Sequence, residues 1–309
     1  MKILVSGGAG FIGSHVVDRY IADGHRVIVV DNLVTGTVEN LNPLAQFYQT
    51  DVRDPGMEEI FSRERPAVVN HHAAQIDVRK SVEDPLFDAE SNILGMLNLL
   101  QGAVRHGVGR FIFASSGGAI YGDQPDESGP AVEGDPLQPM SPYGVAKAAG
   151  ELYLHCYRAL HGLDYISLRY GNVYGPRQDP FGEAGVVAIF IEKLLSGGQP
   201  VINGDGLQTR DYVFVEDVAE ANARALEGKV CGAFNIGSGI ERNVNELFWR
   251  LLEITGKSAK EVHGPEKPGE QRRSVLNCAK ARSQLGWEGK VSFEAGLRRT
   301  VEYFKALHR

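Results

Sequence analysis

Short apolar runs separated by amphipathic stretches set the rhythm of the first half of the chain. Residues 2–6, 26–30, 46–50, 67–70, 111–115 and 165–169 are largely apolar on both faces, as strands buried inside a parallel sheet must be. Between them, residues 11–23, 57–63, 86–106 and 143–161 carry helical periodicity, the first of these ending at Gly24. Strand–helix alternation of this kind predicts an α/β fold with a doubly wound parallel sheet and right-handed crossovers. The alternation weakens after about residue 175. Helices are predicted over 185–197, 217–226, 244–255 and 294–307, and short strands over 200–202, 211–214 and 233–236. This part reads as a smaller α+β unit with long loops. The division is 1–175 for the first domain and 176–309 for the second, with 210–240 returning to the first and no linker between them.

Composition narrows the classes of function. The 309 residues are 43% hydrophobic and 23% charged, ordinary for a globular chain that needs no disulfide or metal support. The net charge is −7 with no Lys/Arg run, which argues against nucleic acid as a partner. The three cysteines (Cys156, Cys231 and Cys278) have spacings that fit neither a zinc site nor a disulfide framework, so a reducing, cytoplasmic setting is expected. No apolar run reaches membrane-spanning length, so no membrane partner is expected.

Glycine is the outlier, with 37 residues. Gly7, Gly10 and Gly13 sit between the first strand and the first helix. There they allow a tight turn, close approach of a pyrophosphate to the helix N-terminus, and close helix–strand packing. Asp31 ends the second strand, 18 residues after Gly13, where a carboxylate would hydrogen-bond an adenosine ribose diol and repel a 2′-phosphate. These features together predict NAD, not NADP. Asp51 and Val52 follow the third strand; Asp51 either meets the adenine amine or caps the next helix. His71 and His72 follow the fourth strand, and neighbours on a strand point opposite ways, so no metal site is expected. The small Ala73–Ala74 pair suits backbone passing close to a ribose.

Tyr143 and Lys147 stand four residues apart on a predicted helix that begins with Pro142. A lysine ammonium one turn away, together with the helix dipole, would lower the phenol pKa from its usual ~10 toward that of a working base. Ser115 and Ser116 end the fifth strand, and in such sheets ligands gather at the carboxyl ends of the strands. Either serine could share a substrate oxygen with Tyr143; Ser116 is favoured.

With G-G-A-G-F-I-G at 7–13, H-A-A at 72–74, S-S-G-G-A-I-Y-G at 115–122 and Y-G-V-A-K at 143–147, the chain resembles the extended short-chain dehydrogenase/reductase family, nearest to its nucleotide-sugar 4-epimerases. The likeness continues through L-R-Y-G-N-V-Y-G-P-R-Q at 168–178, G-D-G-L-Q-T-R-D-Y-V-F-V-E-D at 204–217, N-I-G-S-G at 235–239 and P-G-E at 268–270. It implies a Rossmann-type NAD-binding domain, a smaller α+β domain for the nucleotide sugar, and exchange of UDP-glucose with UDP-galactose through a 4-keto sugar.

By the same resemblance, Tyr143 is the base, Lys147 holds the nicotinamide ribose, and Ser116 orients the sugar oxygen. Phe11, Ile12, Asn32, Gln75, Asn92 and Tyr170 join the cofactor contacts. Asn172 and Arg210 meet the diphosphate or sugar, Val187 and Phe190 the base, and Glu270 the uridine ribose. Lys267 stands where a phosphate-binding arginine is usual, with Arg272 a candidate substitute. Ser274 stands at a size gate where a small residue leaves room for an N-acetyl group. Gly117 and Gly118 stand where related dehydratases and decarboxylases carry acids, which disfavours those reactions. UDP-glucuronate 4-epimerisation, a net reductase and an NAD-sensing module remain as alternatives. Core packing accounts for part of the wide apolar stripes of 86–106 (Ile93, Met96, Leu97, Leu100, Val104) and 143–161 (Ala149, Leu152, Tyr153, Cys156), and the resemblance implies that they also pair in a homodimer through a four-helix bundle.

Overall fold

The computed structural model describes residues 1–125, 127–181, 185–266 and 271–308. Among them the principal strands are β1 (Lys2–Ser6), β2 (Arg26–Asp31), β3 (Gln46–Gln49), β4 (Val68–His71), β5 (Arg110–Ser116), β6 (Asp164–Tyr170), β7 (Asn172–Tyr174), β8 (Ile202–Asn203), β9 (Thr209–Phe214), β10 (Gly232–Ile236), β11 (Glu241–Asn243) and β12 (His263–Gly264). A seven-stranded sheet runs β10-β6-β5-β4-β1-β2-β3, and each neighbouring pair is parallel. The order turns back at β1 and β4, so the crevice beyond their carboxyl ends is the natural ligand position.

The helices are α1 (Phe11–Ala22), α2 (Met57–Glu64), α3 (Val78–Glu83), α4 (Pro85–Ala89), α5 (Gly95–Arg105), α6 (Gly117–Ile120), α7 (Pro142–His161), α8 (Val186–Leu195), α9 (Val215–Ala225), α10 (Val244–Thr255) and α11 (Phe293–Leu307). The helix predicted over 86–106 is present from Pro85 to Arg105 and carries a π turn at Glu90–Leu94 between α4 and α5. Apolar periodicity runs through both segments unchanged, so a π turn leaves no mark in it. Helix α7, which carries Tyr143 and Lys147, starts where its sequence says it should. The Ser141 hydroxyl caps the Gly144 N–H at 3.1 Å, Pro142 occupies the first turn, and Gly162 ends the helix in the left-handed region.

Two apolar layers cover the faces of the large sheet, one built around Val16, Tyr20, Ile112 and Phe234, the other around Phe61, Leu99, Phe111 and Leu154. A third core joins α8, α10 and α11 around Phe190, Phe248 and Phe304. After visiting the small sheet β11-β9-β7, the chain comes back: α9 packs on α1, and β10 pairs with β6. Buried polar bonds fix that return. The Asn222 carboxamide accepts from Asn70 Nδ2 at 2.9 Å and donates to the Tyr170 hydroxyl at 2.8 Å. Among the described residues no helix is long and apolar enough to cross a membrane.

Candidate active site

The loops that leave β1 and β4 nearly touch at the crevice. Gly7 has φ of 72°, and a Cβ there would lie 2.5 Å from the Ala73 nitrogen. Both the left-handed backbone and the close approach require glycine. A Cβ on Gly13 would lie 2.1 Å from the Gly7 carbonyl oxygen, so this glycine makes room for the turn itself more than for helix–strand packing. No side chain caps α1 at Gly10. The N–H groups of its first turn, including Phe11, Ile12 and Gly13, therefore suit an anion such as a pyrophosphate.

Asp31 is buried at the end of β2, where its carboxylate accepts from the Ala9 N–H at 3.0 Å and the Leu33 N–H at 2.9 Å. Asp51 accepts from Asn32 Nδ2 at 2.8 Å and from both arms of Arg53, whose hydrogen bonds are the main cause holding its carboxyl far below the usual carboxylate range. Val52 is buried beneath it. Beyond β4, the Asn92 side chain grips the Gln75 peptide from both sides, accepting from its N–H at 2.8 Å and donating to its carbonyl at 2.9 Å. Ala73 and Ala74 leave this loop thin and half-buried. The Tyr170 ring stacks on His72 with centroids 6.3 Å apart, and burial keeps His72 neutral, with its pKa lowered to about 3. The cradle, the uncapped helix and the placed carboxylate together fit a dinucleotide.

Strand alternation separates the two serines. Ser115 is buried, and its hydroxyl donates to Glu151 Oε1 at 2.7 Å, in a network with Ser167 and Arg169. Its reading as a substrate ligand is therefore corrected: Ser115 braces α7 against β5 and β6. Ser116 faces the other way and approaches the Tyr143 hydroxyl closely enough to lower its pKa. Lys147 is buried; its ammonium donates to the Ala114 carbonyl at 2.8 Å and lies 5.7 Å from the Tyr143 ring centre. Burial brings Lys147 down to about 8, opposed by the charge of Asp88.

The phenol departs from expectation. Burial first, then the charge of Asp88, raise Tyr143 to about 12 against the opposing effect of Ser116. The predicted lowering by Lys147 and the helix dipole is thus outweighed by desolvation.

Across from Tyr143, a Cβ on Gly118 would lie 3.6 Å from Asn172 Oδ1 and 3.8 Å from Ser274 Oγ, so the three residues bound one small space. Gly117 does something else: its Cβ would collide with Leu276 at 2.7 Å. Val187 and Phe190 are buried in the α8–α10–α11 core, Phe190 edge-on to Phe248, and their side chains present no open face to a nucleotide base. The expectation for these two side chains is corrected: helical periodicity turns them inward. Arg210 is half-buried on β9 and donates to the Thr209 carbonyl at 2.8 Å. Arg272 pairs with Asp205 at 2.9 Å on the exposed surface. Lys267 and Glu270 lie outside the described residues.

Three features escaped the sequence reading. Asp211 is fully buried, and its carboxylate gathers the N–H groups of Ser238, Gly239 and Leu276 behind the site. Glu151 and Arg169 form an ion pair at 2.6 Å inside the protein. Asp88 is buried beside α7 and accepts from Gln75 and Asn92. Only the last had a local signal, the four-residue spacing of Asp88 and Asn92 on a helical stretch.

Comparison with known proteins agrees with this geometry. Residues 3–237 match the NAD dependent epimerase/dehydratase family. The UDP-glucose 4-epimerase of Mycolicibacterium smegmatis is 44% identical over 99% of both chains. The crystal structure of a UDP-glucose 4-epimerase from Thermotoga maritima with UDP-glucose is 52% identical, covers 100% of both chains and superposes with a TM-score of 0.98. That of the Thermus thermophilus UDP-glucose 4-epimerase in complex with NAD is 48% identical, covers 99% of both chains and has a TM-score of 0.95. On these grounds, the chain belongs to the NAD dependent epimerase/dehydratase family.

Proposed function

We propose that this protein is an NAD-dependent 4-epimerase that interconverts UDP-glucose and UDP-galactose through a 4-keto sugar. The observation that carries the reading is the meeting of Ser116 and Tyr143 near a space bounded by Gly118, Asn172 and Ser274, with Gly117 and Gly118, not carboxylates, following Ser116 along the chain. A carboxylate there would drive proton transfer beyond C4. NAD, when bound, would supply the hydride acceptor and donor for C4.

The chain's own residues do the rest. Tyr143 takes the proton of the 4-hydroxyl and returns it to the same oxygen after the 4-keto sugar has turned the other face of C4 to the hydride. Ser116 holds that oxygen. Lys147 sits between the Ala114 carbonyl and the crevice, where it binds the nicotinamide ribose and supports the phenolate. Gly7, Gly10, Phe11, Ile12 and Gly13 take the pyrophosphate, and Asp31 the adenosine ribose. Asn32, Asp51 and Val52 line the adenine side. Ala73, Ala74, Gln75, Asn92 and Tyr170 line the nicotinamide side. Asn172, Arg210, Lys267 and Glu270 hold the UDP moiety, and Ser274 leaves room for a 2-acetamido group. Conversion of UDP-galactose to UDP-glucose by purified protein, compared with UDP-GlcNAc and UDP-glucuronate and followed by NMR of the anomeric and C4 protons, tests this. Turnover of UDP-glucuronate alone would replace the assignment with a uronate epimerase.

The quaternary proposal is a homodimer through a four-helix bundle. Leu86, Leu94, Val145, Leu152 and Leu160 stand exposed on the α4, π-turn and α7 face. Met96 and Leu100, on the same stripe, supply its core-packing part and are buried against their own sheet. Sedimentation equilibrium distinguishes dimer from monomer.

A further inference from the structure

Asp88 is 1% exposed and, among the described residues, forms no ion pair. An isolated buried carboxylate is costly, so its compensation is informative. Two amides supply part of it: Asp88 Oδ1 accepts from Gln75 Nε2 at 3.0 Å and from Asn92 Nδ2 at 2.9 Å. Asn92 stands four residues after Asp88, one helical turn on, where the π turn runs. π turns inside helices are frequent at functional sites.

On its other side, Asp88 lines an open groove of about 460 Å³ together with Ser141, Pro142, the exposed Val145 and Ala146. These residues flank Tyr143 and Lys147 along α7, which packs directly on α4. Asp88 and Lys147 are themselves buried, and between buried groups charges act across distances that water would screen.

We propose that Asp88 is the counter-charge of the catalytic pair, a positioning residue whose buried carboxylate sets the protonation states that Tyr143 and Lys147 adopt in the resting enzyme. Its negative charge holds protons on both: it adds to the rise at Tyr143 and offsets part of the fall at Lys147. Lys147 in turn opposes the rise that burial imposes on Asp88.

The other charged groups around it do not compete. Arg79, Lys80 and Glu83 on α3 and Glu90 in the π turn are exposed, and Lys80 lies over the Phe87 ring at 4.4 Å. His71 and His72, behind Lys147, are held neutral by burial.

Asp88→Asn tests the proposal, because an asparagine oxygen can accept both amide bonds while the charge is removed. The deciding readout is independent of turnover: ¹³Cε NMR titration of Lys147, whose wild-type pKa is about 8. The midpoint is expected to fall by about half a pH unit or more when the opposite charge is lost. The acid limb of the 4-epimerisation rate profile is expected to move the same way. Should Asp88→Asn fail to fold, Asp88→Ala also removes the charge and is read identically.

A Lys147 midpoint within about 0.2 unit of wild type in a folded neutral variant would overturn the proposal and leave Asp88 as a structural clamp on Gln75 and Asn92. The pH-profile arm rests on the epimerase assignment. If wild type turns over no UDP-sugar, that assignment fails, and the Lys147 titration still decides Asp88.

Discussion

The cofactor half and the sugar half of the site are built from different materials. The crevice at β1 and β4 is made mostly of backbone: Gly7 in the left-handed region, Gly13 folded against the Gly7 carbonyl, and an α1 N-terminus with no side-chain cap. The acid at its ribose position, Asp31, is itself pinned by two backbone N–H groups. The sugar half hangs on side chains carried by short strands and strapped loops. Asn172 lies on β7 and Arg210 on β9. Ser274 lies on a segment tied to the 122–128 loop by Asp123, Gln124 and Arg273. Backbone sites tolerate almost no variation, because every Cβ has a fixed place. Side-chain sites can change specificity one residue at a time.

Substitutions can break or sharpen this contrast. The largest effect is expected where the halves meet. Tyr143→Phe removes the proton carrier and should cut the turnover number about 10³-fold, with bound NAD retained, as befits loss of a general base. A variant within tenfold of wild type would remove Tyr143 from that role.

Gly13→Ala should be next. Its new Cβ would stand 2.1 Å from a carbonyl oxygen that cannot move without opening the turn. A loss of about 1–3 kcal/mol is expected, as for other overpacked sites. Denaturant titration and the NAD content of the purified protein measure it; unchanged values would show that the cradle is plastic.

Ser274→Tyr probes the other half. It should lower turnover of UDP-GlcNAc by at least about tenfold relative to UDP-glucose through pocket volume alone. Stability can also fall because Ser274 is 1% exposed, so the ratio of the two rates is the reading. Equal losses for both sugars would refute the gate.

The smallest effect belongs to Arg272→Ala. Its partner Asp205 is exposed, and solvent screening leaves such surface pairs contributing little. Thermal melts should barely move. A large rise in KM for UDP-glucose would return Arg272 to the phosphate site.

This contrast also explains what was legible before the fold was known. Glycine spacing, the acid ending β2 and the Tyr143–Lys147 interval are local, so they can be read along the chain. The roles of Ser115 and Ser116 depend on which face of β5 each occupies, and Glu151 and Arg169, far along the chain, reveal that. Val187 and Phe190 were misplaced because a matching position says nothing about the rotation of α8 into its core. The π turn at 90–94 was invisible because apolar periodicity runs straight through it. The rise of Tyr143 to about 12 was missed for a related reason: neighbours in sequence report charge, whereas burial, the largest contribution, comes from the assembled fold.

The central claim is that one hydride leaves C4 and returns to it without exchanging with solvent. UDP-[4-²H]galactose incubated with the purified protein in ordinary water tests it directly, with the C4 label of the UDP-glucose product read by NMR and mass spectrometry. Essentially complete retention of deuterium at C4 is the expected result. Loss of the label to solvent, or its transfer to added free NAD, would contradict the account.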